Sequence, residues 1–209
     1  LSPEADELTR ALTETYLPGL HGALTTMVLG GLQQRAKERL GELNRATQAA
    51  LEAIKQDFSV QSHFGRVWTR NCLLNLGLFD PARQEATQGA CDNLDRSKPV
   101  ALIGAGASLA AELPRLLSER DLFNIIATDT ALPPLLELGI EPDLVISIDA
   151  QFYTLLHAEH PESLKLPWLI PLTAPPTLSR RLQRPLYFAG GAPLESFVAG
   201  RYGILRYDT

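Results

Sequence analysis

Only two cysteines occur among the 209 residues, and Cys72 and Cys91 lie in different segments without the spacing of a zinc site. The two thiols are therefore typical of reduced cysteines in a cytoplasmic protein, and a disulfide is the minority interpretation. Basic residues do not predominate either, since 19 lysines and arginines stand against 24 acidic residues and the net charge is -5. This balance excludes general nucleic-acid binding, which needs a basic surface to displace counterions. A small phosphate site stays possible in principle, because backbone amides can hold an anion.

Long hydrophobic runs are also missing, although 45% of the residues are hydrophobic. No run is long enough to span a bilayer, and no secretory signal peptide opens the sequence. We therefore expect a cytoplasmic location and no membrane span. The apolar fraction suffices for a sizeable core, and the length suits one large domain or one domain with a helical extension.

The first half of the chain contains no convincing strand. Apolar residues recur every three or four positions and predict helices over residues 3–16 and roughly 20–56, separated by Pro18-Gly19. The next stretch, "HFGRVWTRNCLLNLGLF", is apolar enough to form a helix that docks on the second half, and a short helix and a linker follow it. We assign residues 1–97 to a helical N-terminal segment.

From residue 98 onward, strands and helices alternate. Five apolar stretches predict strands, namely "PVALIGA", "FNIIATD", "PDLVISIDA", "PWLIPLT" and "RPLYFAG". Helices are predicted between them at 108–119, 131–138 and 151–159. This pattern is typical of an α/β fold whose mostly parallel sheet carries helices on both faces. Right-handed crossovers would stack the strands into a Rossmann-like core over residues 98–209.

Small, polar and acidic residues end these strands, where α/β sheets bind their ligands. The candidate nucleotide- or phosphate-binding residues are Gly104, Gly106, Ser108, Thr128, Ser147, Gln151 and Thr173, and the candidate catalytic residues are Asp129 and Asp149. We expect all of them on one rim of the sheet.

The glycines after the first strand predict a phosphate site. Gly104 and Gly106 would permit a tight turn and leave room for a phosphate, and Ser108 would cap the next helix or reach a phosphate oxygen. Leu109 stands where a dinucleotide fingerprint has its third glycine, and no P-loop lysine follows. The alternative is an ordinary strand-to-helix turn without a ligand.

Two aspartates strengthen the prediction of a site. Asp129 and Asp149 both end apolar strands, where a carboxylate needs water, a cation or a hydrogen-bond donor. They suit a divalent metal or the hydroxyls of ribose or a sugar, although each could instead cap the following helix. His157 and His160 lie on a later helix and are interpreted as surface histidines.

The segments "LIGAGASL" and "IIATDTALPPLLELGIEPDLVISIDAQ" resemble the shared core of two related groups. One is the motility-associated factor (Maf) glycosyltransferases, which are linked to flagellin glycosylation. The other is the archaeal 6-hydroxymethylpterin diphosphokinase (MptE-like) family. The resemblance is close over residues 98–152 and looser to 209, and Ala107 departs from the proline usual in the family. The family core normally continues beyond the point where this sequence ends, so the core is expected to be truncated at its C-terminal end.

The resemblance implies a nucleotide-dependent transferase. The leading hypothesis is a flagellin glycosyltransferase that uses a nucleotide-activated sugar and a protein acceptor, favoured by the helical segment before the core. The alternative enzyme is a pterin diphosphokinase that uses ATP and Mg²⁺, with Asp129 and Asp149 holding the metal. A third hypothesis, of another class, is a non-catalytic interaction protein that docks through its helical half.

Overall fold

A computed structural model describes residues 2–92, 94–190 and 193–206. The chain forms two compact units, Leu1–Arg66 and Val67–Thr209, which divide within one long helix. The sequence-based boundary at residues 97/98 marks a different feature, the start of the strand–helix alternation, and the first strand begins at Val100.

Helices build the first unit. They are α1 (Pro3–Thr15), α2 (Pro18–His21), α3 (Gly30–Arg35) and the first part of α4 (Lys37–Leu76). The prediction of one helix over 20–56 is wrong at residues 22–29, which are not helical. Gly22 ends α2 with a φ of 71°, and the β-branched pair Thr25-Thr26 that follows favours extended backbone.

The second unit contains the end of α4 and a six-stranded parallel sheet. Its elements are α5 (Pro81–Asp92), β1 (Val100–Ile103), α6 (Leu109–Ser118), β2 (Asn124–Thr128), α7 (Leu132–Glu137), β3 (Leu144–Ile146), α8 (Thr154–His157), β4 (Pro167–Pro171), α9 (Pro176–Arg181), β5 (Arg184–Ala189), α10 (Pro193–Tyr202) and β6 (Leu205–Arg206). The five predicted strands are present, and β6 is additional. The strand order is consecutive from β1 to β6, so the described sheet has no point at which the order reverses.

The apolar residues of the strands pack against the connecting helices. Ile125 and Ala127 of β2 form one cluster with Leu113 of α6 and Leu135 of α7. A larger cluster surrounds Trp168 of β4, which is fully buried and whose indole N–H donates to the carbonyl of Ser163 at 2.8 Å. At the edge of the sheet, by contrast, Val100 and Leu102 of β1 are exposed.

The end of α4 and α5 pack on this sheet, as the sequence predicts for the third helical stretch. Cys72 belongs to the larger apolar cluster. Asn71 donates from its side-chain amide to the carbonyl of Thr173 at 3.0 Å, immediately beyond β4. Gln84 of α5 exchanges two hydrogen bonds with the backbone of Tyr187, where β6 is too short to pair with β5. Polar side chains thus complete the backbone hydrogen bonding that the sheet leaves open.

A salt bridge ties together the amino ends of β2 and β3. Asp143 accepts from the backbone N–H of Ile125 at 2.7 Å and from the guanidinium of Arg120 at 3.0 Å. This aspartate of the "GIEPD" segment therefore has a structural role, at the edge opposite to the predicted site. No helix of the described residues is both long and apolar enough to cross a membrane.

Candidate functional site

The predicted site residues lie where neighbouring parallel strands end. Strands β1 to β4 are paired side by side in parallel, so their carboxyl ends meet along one edge of the sheet. The edge carries Gly104, Gly106 and Ser108 after β1, Thr128 and Asp129 at the end of β2, Ser147, Asp149 and Gln151 after β3, and Thr173 after β4. The topology thus puts them on one rim, as the strand pattern predicts.

Asp129 lies at the centre of the hydrogen bonds at this edge. Its Oδ1 accepts from the backbone N–H of Thr130 at 2.9 Å, and its Oδ2 accepts from the hydroxyl of Ser147 at 3.1 Å. The same Oδ2 lies 3.4 Å from Nδ1 of His157. Asp129 and Ser147 meet because Thr128 and Ile146 are paired in register and each residue follows its strand directly. Two donors and an imidazole nitrogen therefore surround a buried carboxylate.

His157 belongs to this cluster, since it is half-buried and contacts Asp129, which its interpretation as a surface histidine did not predict. It is the last residue of α8, which packs against the 3-10 turn Asp129–Ala131. Thr154, three residues before His157 and therefore on the same helical face, is buried. The sequence offered little signal for this contact, because His157 has no partner at metal-site spacing and its partner Asp129 lies 28 residues earlier in the chain.

Asp149 has a different environment from Asp129. It is exposed, and its Oδ1 accepts from the backbone N–H of Gln151 at 2.8 Å, which is the geometry of an Asx turn. Its carbonyl lies 3.5 Å from the hydroxyl of Thr154, the first residue of α8. Asp149 therefore shapes the turn that leads from β3 into the helix carrying His157. The described contacts do not join its carboxylate to that of Asp129.

The loop from Gly104 to Ser108 is exposed to solvent, with free space beside both glycines. A methyl group added at Gly104 or Gly106 would meet no atom within 4 Å, and neither residue has a positive φ. The expected need for glycine to make a tight turn is therefore wrong. Ser108 occupies the N-cap position of α6, as predicted, but its side chain makes no capping hydrogen bond there. The small side chains leave backbone and hydroxyl accessible, because all three residues are exposed.

The remaining predicted residues differ in exposure. The Thr128 hydroxyl lies 3.1 Å from that of Thr130, and Gln151 is exposed. Thr173 is buried, and its backbone is fixed by Asn71. Their roles in binding stay predictions.

The hydrogen bonds to Asp129 also affect whether its carboxylate could coordinate Mg²⁺. Both carboxylate oxygens already accept hydrogen bonds, and a cation at this position would face the donors of Thr130 and Ser147. The arrangement suits hydrogen bonding rather than direct coordination of Mg²⁺. Among the residues that the structure describes, no group of three or more His, Cys, Asp or Glu side chains could hold a metal ion.

Comparison with known proteins gives the family. A family profile described as "6-hydroxymethylpterin diphosphokinase MptE-like" matches residues 80–201, which include the whole candidate site. An uncharacterized protein of Treponema pallidum (strain Nichols) is 34% identical over 147 residues, covering 68% of this chain and 65% of that protein. The match therefore spans less than two thirds of this relative's length. No solved structure matches the chain. Because the profile covers more than half of its residues, the chain belongs to the 6-hydroxymethylpterin diphosphokinase MptE-like family.

Proposed function

We propose that the chain is a nucleotide-dependent transferase, with its site at the carboxyl edge of the sheet. Membership of the MptE-like family supports a transferase-type function. The observation that carries the proposal is the carboxylate of Asp129, which is buried and in contact with two donors and an imidazole nitrogen beside the end of β1. A charged group fixed by hydrogen bonds is suited to orienting a reactant, because it is preorganised before the reactant arrives.

The nucleotide phosphate would bind at the loop from Gly104 to Ser108. The free space outside both glycines lets a phosphate approach the backbone closely, and the uncommitted hydroxyl of Ser108 can donate to a phosphate oxygen. Asp149 and Gln151, both exposed on the loop after β3, would contact hydroxyls of ribose or of a sugar. The other candidates for nucleotide contact are Thr128, Ser147 and Thr173.

The finer assignment is sugar transfer from a nucleotide-activated sugar to a protein acceptor such as flagellin. It follows from the resemblance to the Maf group and from the helical segment that precedes the core. The hydrogen-bonded surroundings of Asp129 support it, since transfer to a hydroxyl needs an oriented acceptor and a proton acceptor more than a metal ligand.

A second candidate is diphosphate transfer from ATP to a pterin alcohol. The description of the family profile favours it. In that reaction Mg²⁺ would neutralise the phosphates of ATP. Asp149, whose carboxylate is exposed, is the residue of this edge that fits a metal held mainly by the nucleotide.

Thermal unfolding with added ligands tests these proposals. The protein is heated with CMP, UDP, ATP or 6-hydroxymethylpterin, each with and without Mg²⁺. We expect CMP or UDP to raise the melting temperature, since a ligand that binds only the folded state stabilises it. A rise with ATP that requires Mg²⁺ would favour diphosphate transfer instead. If no nucleotide shifts the melting temperature, the transferase proposal fails and the hypothesis of an interaction protein gains.

A further inference from the structure

We infer that His157 is the general base of the transfer and that Asp129 positions it. The inference rests on the proposed function but not on the identity of the donor, because sugar transfer and diphosphate transfer both require a proton to leave an acceptor hydroxyl. It assigns a role to a residue that the sequence motifs do not include.

The hydrogen bond to Asp129 sets the proton on the imidazole. An ionised carboxylate can only accept hydrogen bonds, so Nδ1 of His157 must be the protonated nitrogen where it faces Oδ2. In the neutral ring, Nε2 then carries the lone pair. The 3.4 Å distance is longer than the roughly 2.7–3.2 Å of most N–H···O hydrogen bonds, and catalytic hydrogen bonds are often long before substrate binds.

The side chain of His157 is more exposed than those of Asp129 and Ser147. Its side chain is 29% exposed, whereas that of Asp129 is 12% exposed and Ser147 is almost fully buried. An acceptor hydroxyl can therefore approach the imidazole from solvent more readily than it can approach the carboxylate or the serine. Asp129 is thus a positioning residue and His157 the group that meets the substrate.

The proposed step is balanced without a further reactant. The acceptor O–H bond breaks and its proton moves to Nε2 of His157. The acceptor oxygen forms a bond to the electrophilic atom of the donor, which is the anomeric carbon of a sugar or a phosphorus atom. The bond from that atom to the leaving phosphate oxygen breaks, and the nucleotide keeps the electron pair. The resulting imidazolium lies beside the negative charge of Asp129, which stabilises it.

Two histidine variants test the role of the base. His157→Asn keeps an N–H donor near the position of Nδ1 but has no nitrogen at the position of Nε2. We expect it to bind CMP, UDP or ATP as the unchanged protein does, and to consume CMP-N-acetylneuraminic acid, UDP-N-acetylglucosamine or MgATP roughly 10²- to 10⁴-fold more slowly. His160→Asn is the matched control, since His160 is exposed and its Nδ1 instead accepts from the backbone of Glu162. An equal loss in both variants, or full turnover by His157→Asn, would overturn the inference.

The tautomer of His157 can be measured on the protein without any substrate, and it tests the inference independently of turnover. Long-range ¹H–¹⁵N NMR spectra of the histidine rings distinguish the two tautomers, and the signal missing from His157→Asn identifies the residue. We expect the neutral ring to carry its proton on Nδ1, and Asp129→Asn to change that state. A ring protonated on Nε2, or one unaffected by Asp129→Asn, contradicts the inference whatever the donor is. If instead the tautomer is as expected but the unchanged protein consumes none of the three donors, the proposed function fails and the pairing of His157 with Asp129 stands.

Discussion

The side-chain amide of Asn75 lies 2.8 Å from the carbonyl oxygens of both Leu172 and Ala174. One fully buried residue of α4 thus holds the backbone on either side of Thr173, just beyond the carboxyl end of β4. The carbonyl of Thr173 itself is held by Asn71, one helical turn earlier. The helical stretch before the sheet therefore helps to fix the loop at one end of the candidate site.

Replacing Asn75 by Asp should destabilise the protein without changing the size of the side chain. The variant loses both amide donors and turns a carboxyl oxygen toward two carbonyl oxygens. We expect the free energy of unfolding to fall by about 2–3 kcal/mol, because buried polar groups would lose their partners. Urea unfolding followed by tryptophan fluorescence measures the change. Asn44→Asp, at an exposed position of the same helix, should alter it by less than about 0.5 kcal/mol, and an equal effect of both variants would contradict the prediction.

Gly106→Val should abolish nucleotide binding while leaving the fold intact. The structure has room for the side chain, since a methyl group there meets no atom within 4 Å and the backbone needs no positive φ. The valine would instead occupy the space through which a phosphate reaches the loop. We expect an unchanged melting temperature without ligand and the loss of the shift produced by a nucleotide. Gly200→Val, at an equally open position on α10, is the control, and a full nucleotide shift in Gly106→Val would remove this loop from the site.

Apolar periodicity was sufficient to predict the sheet but not every helix. The strands from β1 to β5 are mainly apolar, and burial against helices is the physical cause of that pattern everywhere except at the exposed Val100 and Leu102 of β1. The two-residue β6 is too short to produce a pattern. Residues 22–29 keep an apolar spacing that fits a helix, yet the left-handed backbone of Gly22 and the β-branched residues after it end the helix.

The site was predictable only as far as the strand ends define it. Asp129 and Ser147 could be placed together because both directly follow neighbouring strands. The position of His157 beside Asp129 could not be predicted in the same way, since ten residues and a change of direction separate it from the end of β3. Asp149 ends the same apolar stretch as Ser147, but the strand stops earlier and the aspartate turns outward. Contacts made by loops depend on their path in space, which periodicity does not encode.

Alkaline pH should reveal the burial of Cys72. Burial, with a smaller contribution from the negative charge of Glu195, raises the pKa of this thiol to about 11. In the unfolded chain the thiol has its ordinary pKa of about 8.5, so its contribution to stability is complete below that pH and is lost as the pH rises toward 11. We expect the free energy of unfolding to fall by up to about 1.4 kcal/mol per pH unit across this range. The difference between the unchanged protein and Cys72→Ala isolates the effect from other groups that titrate there, and Cys91→Ala should retain the full dependence.

Asp149→Asn and Asp149→Ala should separate the turn from the chemistry. Asparagine keeps an acceptor for the backbone N–H of Gln151, so the Asx turn and the position of α8 should survive. If Asp149 only accepts hydrogen bonds from ribose or sugar hydroxyls, we expect Asp149→Asn to weaken nucleotide binding by about tenfold. If it instead binds Mg²⁺, the loss of negative charge should lower turnover by orders of magnitude and reduce Mg²⁺ affinity, with an unchanged melting temperature.

Asp149→Ala also removes the turn acceptor, so its melting temperature should fall below that of Asp149→Asn. Isothermal titration with nucleotide and with Mg²⁺, together with thermal unfolding of both variants, measures these effects. Unchanged nucleotide affinity, Mg²⁺ affinity and turnover in Asp149→Asn would leave Asp149 a purely structural residue of the turn.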